Sequence, residues 1–172
     1  MAKTVREAFP GVNVWYNEGS GQVVKPSQCT NVTKFYIPKD VSLFSTDIYH
    51  YAAEPGWVER KVKLFYETYI FPLLDQSSQR AAFVPGSFSS TTGGPKDAPC
   101  NASCYREMII QDAEEYFKWA REDERVGGIF PWHWSSCRTN PDCVKHWDEV
   151  GTAELPQLAA KWKELANGSR KH

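Results

Sequence analysis

The side chains best suited to chemistry in this chain stand at the ends of short apolar runs. Residues 12–16 (VNVWY) lead straight into Asn17-Glu18, and the run 41–49 (VSLFSTDIY) carries Asp47 and Tyr49 and is followed by His50. Residues 81–84 (AAFV) lead through Pro85-Gly86 to Ser87, and 126–130 (VGGIF) lead through Pro131 to Trp132-His133-Trp134. Glu18 and Asp47 are the pair to weigh first. Cleavage of a glycosidic bond needs two carboxyl groups: one protonates the leaving oxygen, and the other attacks the sugar or activates water. A spacing of about 5 Å gives retention of configuration, and about 6.5–9.5 Å gives inversion. Trp132 and Trp134 offer flat faces for the C–H surfaces of sugar rings, and Asn17, Tyr49, His50, Ser87 and His133 can orient hydroxyl groups. Plainer roles exist for several of them. Glu18 can accept hydrogen bonds from the glycine-rich turn that follows it, and His50 can be a satisfied structural histidine. Because Trp132 and Trp134 alternate with His133, one set faces inward as packing. Asp47 lies inside an apolar strand, where a buried carboxylate requires a partner.

Two metal readings compete. Glu18, Asp47, His50 and His133 would suit zinc or manganese in a metal-dependent hydrolase, but no HxH or HExxH spacing supports them. Cys100, Cys104, Cys137 and Cys143 with His133 or His146 would form a zinc site, but the second cysteine pair is spaced too widely for a knuckle. No cofactor is expected.

Positioning these groups falls to a regular alternation of elements. The four apolar runs are short and continuous, as strands buried on both faces of a parallel sheet are. Residues 57–70 place Trp57, Val58, Val62, Phe65, Tyr66, Tyr69 and Ile70 at spacings of three and four, which predicts an amphipathic helix ending at Pro72. Ile109, Ala113, Tyr116, Phe117 and Ala120 predict a second helix, and Leu155, Leu158, Ala159, Trp162 and Leu165 a third, with Pro156 in its first turn. Val5, Ala8 and Phe9 form the tail of an earlier helix, stopped by Pro10-Gly11. Asn17-Glu18-Gly19-Ser20-Gly21 reads as a turn. The order (α)β–loop–βαβαβα implies one α/β domain of parallel strands with right-handed crossovers. In such folds chemistry collects at the carboxyl ends of the strands, where these side chains stand.

Composition excludes several classes. Twenty Lys and Arg against twenty-one Asp and Glu give a net charge of −1, so no basic field for nucleic acid exists. No apolar run reaches the ~20 residues of a membrane span. The first residues, MAKTVREAFPG, lack the apolar segment of an export signal. The five cysteines, at 29, 100, 104, 137 and 143, cannot all pair within the chain. Cys100 with Cys104 and Cys137 with Cys143 are candidate disulfides, leaving Cys29. Asn31, Asn101 and Asn167 each open a glycosylation acceptor triplet. Cysteine pairs beside such triplets favour a secreted or lumenal parent protein.

The motifs together resemble the C-terminal half of (β/α)8-barrel glycoside hydrolases, the large clan that includes cellulases and related retaining enzymes. There a strand ends in Asn-Glu with Glu as acid/base, as Asn17-Glu18 closes VWY. Aromatic-rich motifs end later strands, as in DIYHY at 47–51 and FPWHW at 130–134. The resemblance implies a TIM-barrel-like sheet acting on or binding carbohydrate, with Glu18 and Asp47 as catalytic carboxylates. The clan's strand-seven nucleophile has no counterpart in Val84-Pro85-Gly86-Ser87, which leaves Asp47 to serve, or leaves a non-catalytic, degenerate barrel that keeps only carbohydrate binding. A complete (β/α)8 barrel takes ~250 residues, and 172 residues with four strand–helix units amount to half of one. The expectation is therefore a half barrel, with earlier strands and the export signal absent, self-associating through exposed sheet edges.

Overall fold

The computed structural model describes residues 2–25, 34–49, 55–90, 102–132 and 149–168. Its first helix is α1 (Ala2–Ala8). Strands β1 (Trp15–Gly19), β2 (Leu43–Asp47), β3 (Arg80–Phe83) and β5 (Val126–Ile129) form a four-stranded sheet in the order β1-β2-β3-β5, parallel throughout. Strands β4 (Phe88–Ser90) and β6 (Glu149–Gly151) form a separate antiparallel pair. Helical segments separate the parallel strands: α2 (Ser20–Val24), α3 (58–73) and α4 (Ala102–Glu122), with α5 (Pro156–Gly168) last. This is the parallel α/β architecture implied by the alternation of elements.

Residues 17–21 depart from the expected turn. Instead β1 continues to Gly19, because register with β2 from Trp15↔Leu43 to Gly19↔Asp47 gives the main chain of that stretch ladder partners. The short helix α2 then starts immediately, and the Gly19 N–H is held by the Gln22 side-chain oxygen at 3.0 Å. The pairing of β4 with β6 has no sequence signal, since three-residue strands carry too little periodicity to be seen. Helix α3 is not uniform. It is wound more widely than an α-helix at Val58–Val62 and Tyr66–Ile70, with an α-helical turn at Lys63–Phe65 and a tight turn at Phe71–Leu73 where Pro72 ends it.

Two compact units divide the chain: Met1–Ile48, Glu59–Val84 and Trp119–Phe130 form the first, and Tyr49–Val58, Pro85–Lys118 and Pro131–His172 the second. In the first unit the parallel sheet has two distinct faces. Phe44, Thr46, Ala81 and Phe83 turn to the face covered by α3 and by Trp119. Tyr66 meets Phe83 edge-on at 5.1 Å and Trp119 at 5.8 Å, and Trp119 lies 4.3 Å from Phe83. The Tyr66 hydroxyl donates to the Ala82 carbonyl at 2.9 Å, and burial pushes its phenol pKa up. Arg125 closes this cluster, its guanidinium 3.8 Å from the centre of the Phe71 ring and bonded to Glu67 at 2.6 Å and Asp123 at 2.7 Å.

The opposite face carries Trp15, Asn17, Leu43, Ser45, Asp47, Arg80 and Phe130. Trp15 and Phe130 stack at 4.5 Å, although they come from the two outer strands' ends of the sheet. Four flat strands would hold the outer two about 14 Å apart at ~4.8 Å per step, so the sheet curls towards this face and makes it concave. Gly127 sits at an irregularity in the β3–β5 register. A Cβ there would lie 2.7 Å from Leu43 Cδ2 and 2.9 Å from Arg80 Cβ, so glycine makes the curl possible.

The second unit has its own core, in which Ile109, Ala113 and Tyr116 of α4 and Leu155, Leu158 and Trp162 are buried. Phe117 and Trp162 pack at 5.7 Å, and Lys161 reaches Glu114 at 2.8 Å. Among the described residues, no helix is long and apolar enough to cross a membrane.

Candidate functional site

The most organised polar group on the concave face lies across β1 and β2. Parallel register sets Asn17 beside Ser45 and Gly19 beside Asp47, so Trp15, Asn17, Ser45 and Asp47 share one side of the pleat. Their hydrogen bonds run in a single direction. An indole N–H can only donate, so Trp15 Nε1 donates to Ser45 Oγ at 2.8 Å. Ser45 then donates to Asn17 Oδ1 at 2.6 Å, and Asn17 Nδ2 donates to Asp47 Oδ1 at 2.7 Å. The amide orientation of Asn17 follows from its neighbours. Ser45 is fully buried, Asn17 and Asp47 are half-buried, and Trp15 is 45% exposed. The chain thus starts on an exposed indole and ends on a carboxylate at the carboxyl end of the sheet.

Glu18 lies elsewhere. It is in register with Thr46, not Asp47, and points to the opposite side of the pleat. There the Tyr16 hydroxyl donates to Glu18 Oε2, and the Gly19 N–H donates to Oε1 at 3.2 Å. The hydrogen bond to Glu18, aided by desolvation and the nearby negative charge, pushes the Tyr16 pKa up to about 12. The glycine-rich turn that Glu18 was expected to brace is absent, Gly19 donating to it from the end of β1, and the two carboxylates leave β1 and β2 from different faces.

Of the remaining candidates, Tyr49, Ser87 and Trp132 belong to the second unit. Ser87 is fully buried. Its Oγ accepts from Trp162 Nε1 at 2.7 Å and shares a 2.6 Å hydrogen bond with Thr152 Oγ1, while Thr152 also reaches the Ser87 carbonyl at 2.6 Å. Tyr49 packs edge-on against Phe88 at 5.5 Å. Gly86 permits this approach, since a Cβ there would stand 3.2 Å from Phe88 and 3.4 Å from Tyr49. Trp132 is 54% exposed, bridged to Gly86 through the main chain, with its N–H donating to the Pro85 carbonyl at 2.9 Å and its carbonyl accepting from Ser87 N–H. Asn167 is exposed near the end of α5. His50, His133, Trp134, Asn31, Asn101, Cys29, Cys100, Cys137 and Cys143 lie outside the described residues, as does the side chain of Cys104. Among the described residues no cluster of three metal-ligating side chains occurs.

Trp15 and Ser45 were not singled out by sequence. Their signal was strand parity: each stands two residues before a residue that was singled out, Asn17 and Asp47. The fold and this rim together define a parallel α/β protein with a hydrogen-bonded indole–hydroxyl–amide–carboxylate chain at the carboxyl end of its sheet. No protein-family model matches the chain, and no curated protein sequence matches it.

Proposed function

We propose that this protein binds carbohydrate on the concave face of its parallel sheet, as a glycoside-hydrolase-like half barrel, without a two-carboxylate hydrolytic centre at Glu18 and Asp47. The observation that carries this reading is the directed chain Trp15–Ser45–Asn17–Asp47. It presents an exposed indole, suited to the apolar face of a pyranose, and a carboxylate suited to accept from sugar hydroxyl groups. Asn17 fixes the Asp47 carboxylate before any ligand arrives, which lowers the ordering cost of binding. Catalysis by Glu18 with Asp47 would need both carboxyls to flank one bond, and their opposite faces argue for binding instead. The test is a glycan array probed with the wild-type chain and Asp47→Ala, with reducing-sugar release assayed on every glycan retained. Binding that Asp47→Ala abolishes, without sugar release, supports the proposal. Sugar release abolished by both Glu18→Gln and Asp47→Asn would favour the hydrolytic reading.

A further inference from the structure

Asn167 is the one glycosylation candidate whose side chain the structure describes, and the carbohydrate reading makes no use of it. The chain has six asparagines, and the residue after each decides how readily the main chain can attack the side-chain amide. Asn13 and Asn31 precede valine, Asn17 precedes Glu18, Asn101 precedes Ala102, and Asn140 precedes Pro141. A side chain on the following residue crowds its backbone nitrogen, β-branched valine most, and proline has no N–H to lose. Asn167 alone precedes glycine, which has no Cβ.

Position adds to this. Asn167 and Gly168 are the last two residues of α5, and both are exposed. Inside a helix the Gly168 N–H is committed to the carbonyl four residues back, away from its neighbour's side chain. The last turn of a helix, however, frays at almost no cost. The buried anchors of α5, Leu158 and Trp162, lie more than one turn back, so this end can open without disturbing the core. Asn17 is the contrast. It lies within β1, its Oδ1 accepts from Ser45 at 2.6 Å, and its Nδ2 donates to Asp47 at 2.7 Å.

We propose that Asn167 is a site of spontaneous deamidation. With the end of α5 open, the Gly168 nitrogen attacks Asn167 Cγ and gives up its proton to solvent base. The Cγ–Nδ2 bond breaks and Nδ2 leaves as ammonia, closing a five-membered succinimide. Water then opens the ring at either carbonyl carbon. Attack at Cγ leaves aspartate in an ordinary main chain. Attack at the Asn167 main-chain carbon leaves isoaspartate, with the chain running through Cγ. The net change is amide plus water to carboxylate plus ammonium, so the chain, formally −1, gains one further negative charge. The same Nδ2 is the acceptor atom of the Asn167-Gly168-Ser169 triplet, and deamidation removes that acceptor.

Peptide mapping by mass spectrometry of the full chain, aged in mildly alkaline buffer, tests the proposal, with aspartate and isoaspartate peptides separated by chromatography. Asn167 should convert at least about tenfold faster than Asn13, which is equally exposed, and than Asn17. Gly168 lacks the positive φ of Gly11 and Gly56, and among the described residues a Cβ on it would meet no atom within 4 Å. Gly168→Ala therefore fits the helix and keeps the Asn-X-Ser triplet, and it should slow conversion at least about tenfold. Conversion at Asn167 no faster than at Asn13, or unaffected by Gly168→Ala, would overturn the proposal. So would an Asn167 that stays intact in the folded chain but converts in urea, since the closed helix would then protect it.

Discussion

Two hydrogen-bond chains in this molecule begin alike and end differently. In the second unit, Trp162 donates to Ser87, Ser87 and Thr152 share a bond, and Thr152 returns to the Ser87 carbonyl. Every group there is buried and the circuit closes on itself. In the first unit, Trp15 donates to Ser45, Ser45 to Asn17, and Asn17 to Asp47. That chain starts on an exposed ring and stops at a half-exposed carboxylate. A closed circuit can stabilise the fold but has no capacity left for a ligand. An open one keeps an acceptor and a ring face at the surface, so in the proposed function ligand recognition falls to Asp47 and Trp15 and not to Ser87.

Removing members of each chain should separate stability from binding. Trp162→Ala empties a buried indole site and should cost about 3–5 kcal/mol in urea denaturation; a loss under about 1 kcal/mol would mean that the second unit does not depend on this packing. Ser87→Ala strands the Trp162 indole N–H in the interior, while the Thr152 hydroxyl keeps its bond to the carbonyl of residue 87, and should cost about 1–3 kcal/mol. Ser45→Ala removes a buried link from the open chain, but water can reach the exposed Trp15 indole, so a loss of about 1 kcal/mol is expected. Equal losses for Ser45→Ala and Ser87→Ala would erase the distinction between the chains.

The smallest effect concerns Tyr16 and Glu18, on the face away from the open chain. With its pKa raised from 10.0 to about 12, Tyr16 contributes stability that is present below pH 10 and lost as pH rises through about 12. Glu18→Gln removes the charge that holds the phenol protonated and should bring its ultraviolet titration back towards 10. An unchanged midpoint would show that Glu18 does not act on this ring.

Much of the architecture was legible because apolar continuity survives without tertiary information. The run 41–49 became Leu43–Asp47, 81–84 became Arg80–Phe83, and 126–130 became Val126–Ile129. Helical spacing likewise located α3, α4 and α5. The region around residue 17 was harder to read, since Asn, Glu and Gly favour turns in isolation and only pairing with Leu43–Asp47 holds them extended. The same register decides which side chains meet. Glu18 and Asp47 both follow apolar runs, but a one-residue offset in pairing sends them to opposite faces. Asp47's need for a partner was foreseeable from its place in an apolar strand; that Asn17 would supply it depends on register alone.

The sharpest measurement is calorimetric titration of a glycan retained on the array against wild-type and Asp47→Asn chains of equal thermal stability. The substitution keeps the side chain's size and removes its charge. The open-chain assignment predicts at least a tenfold weaker complex, about 1.4 kcal/mol. Equal affinity for the two chains would contradict it.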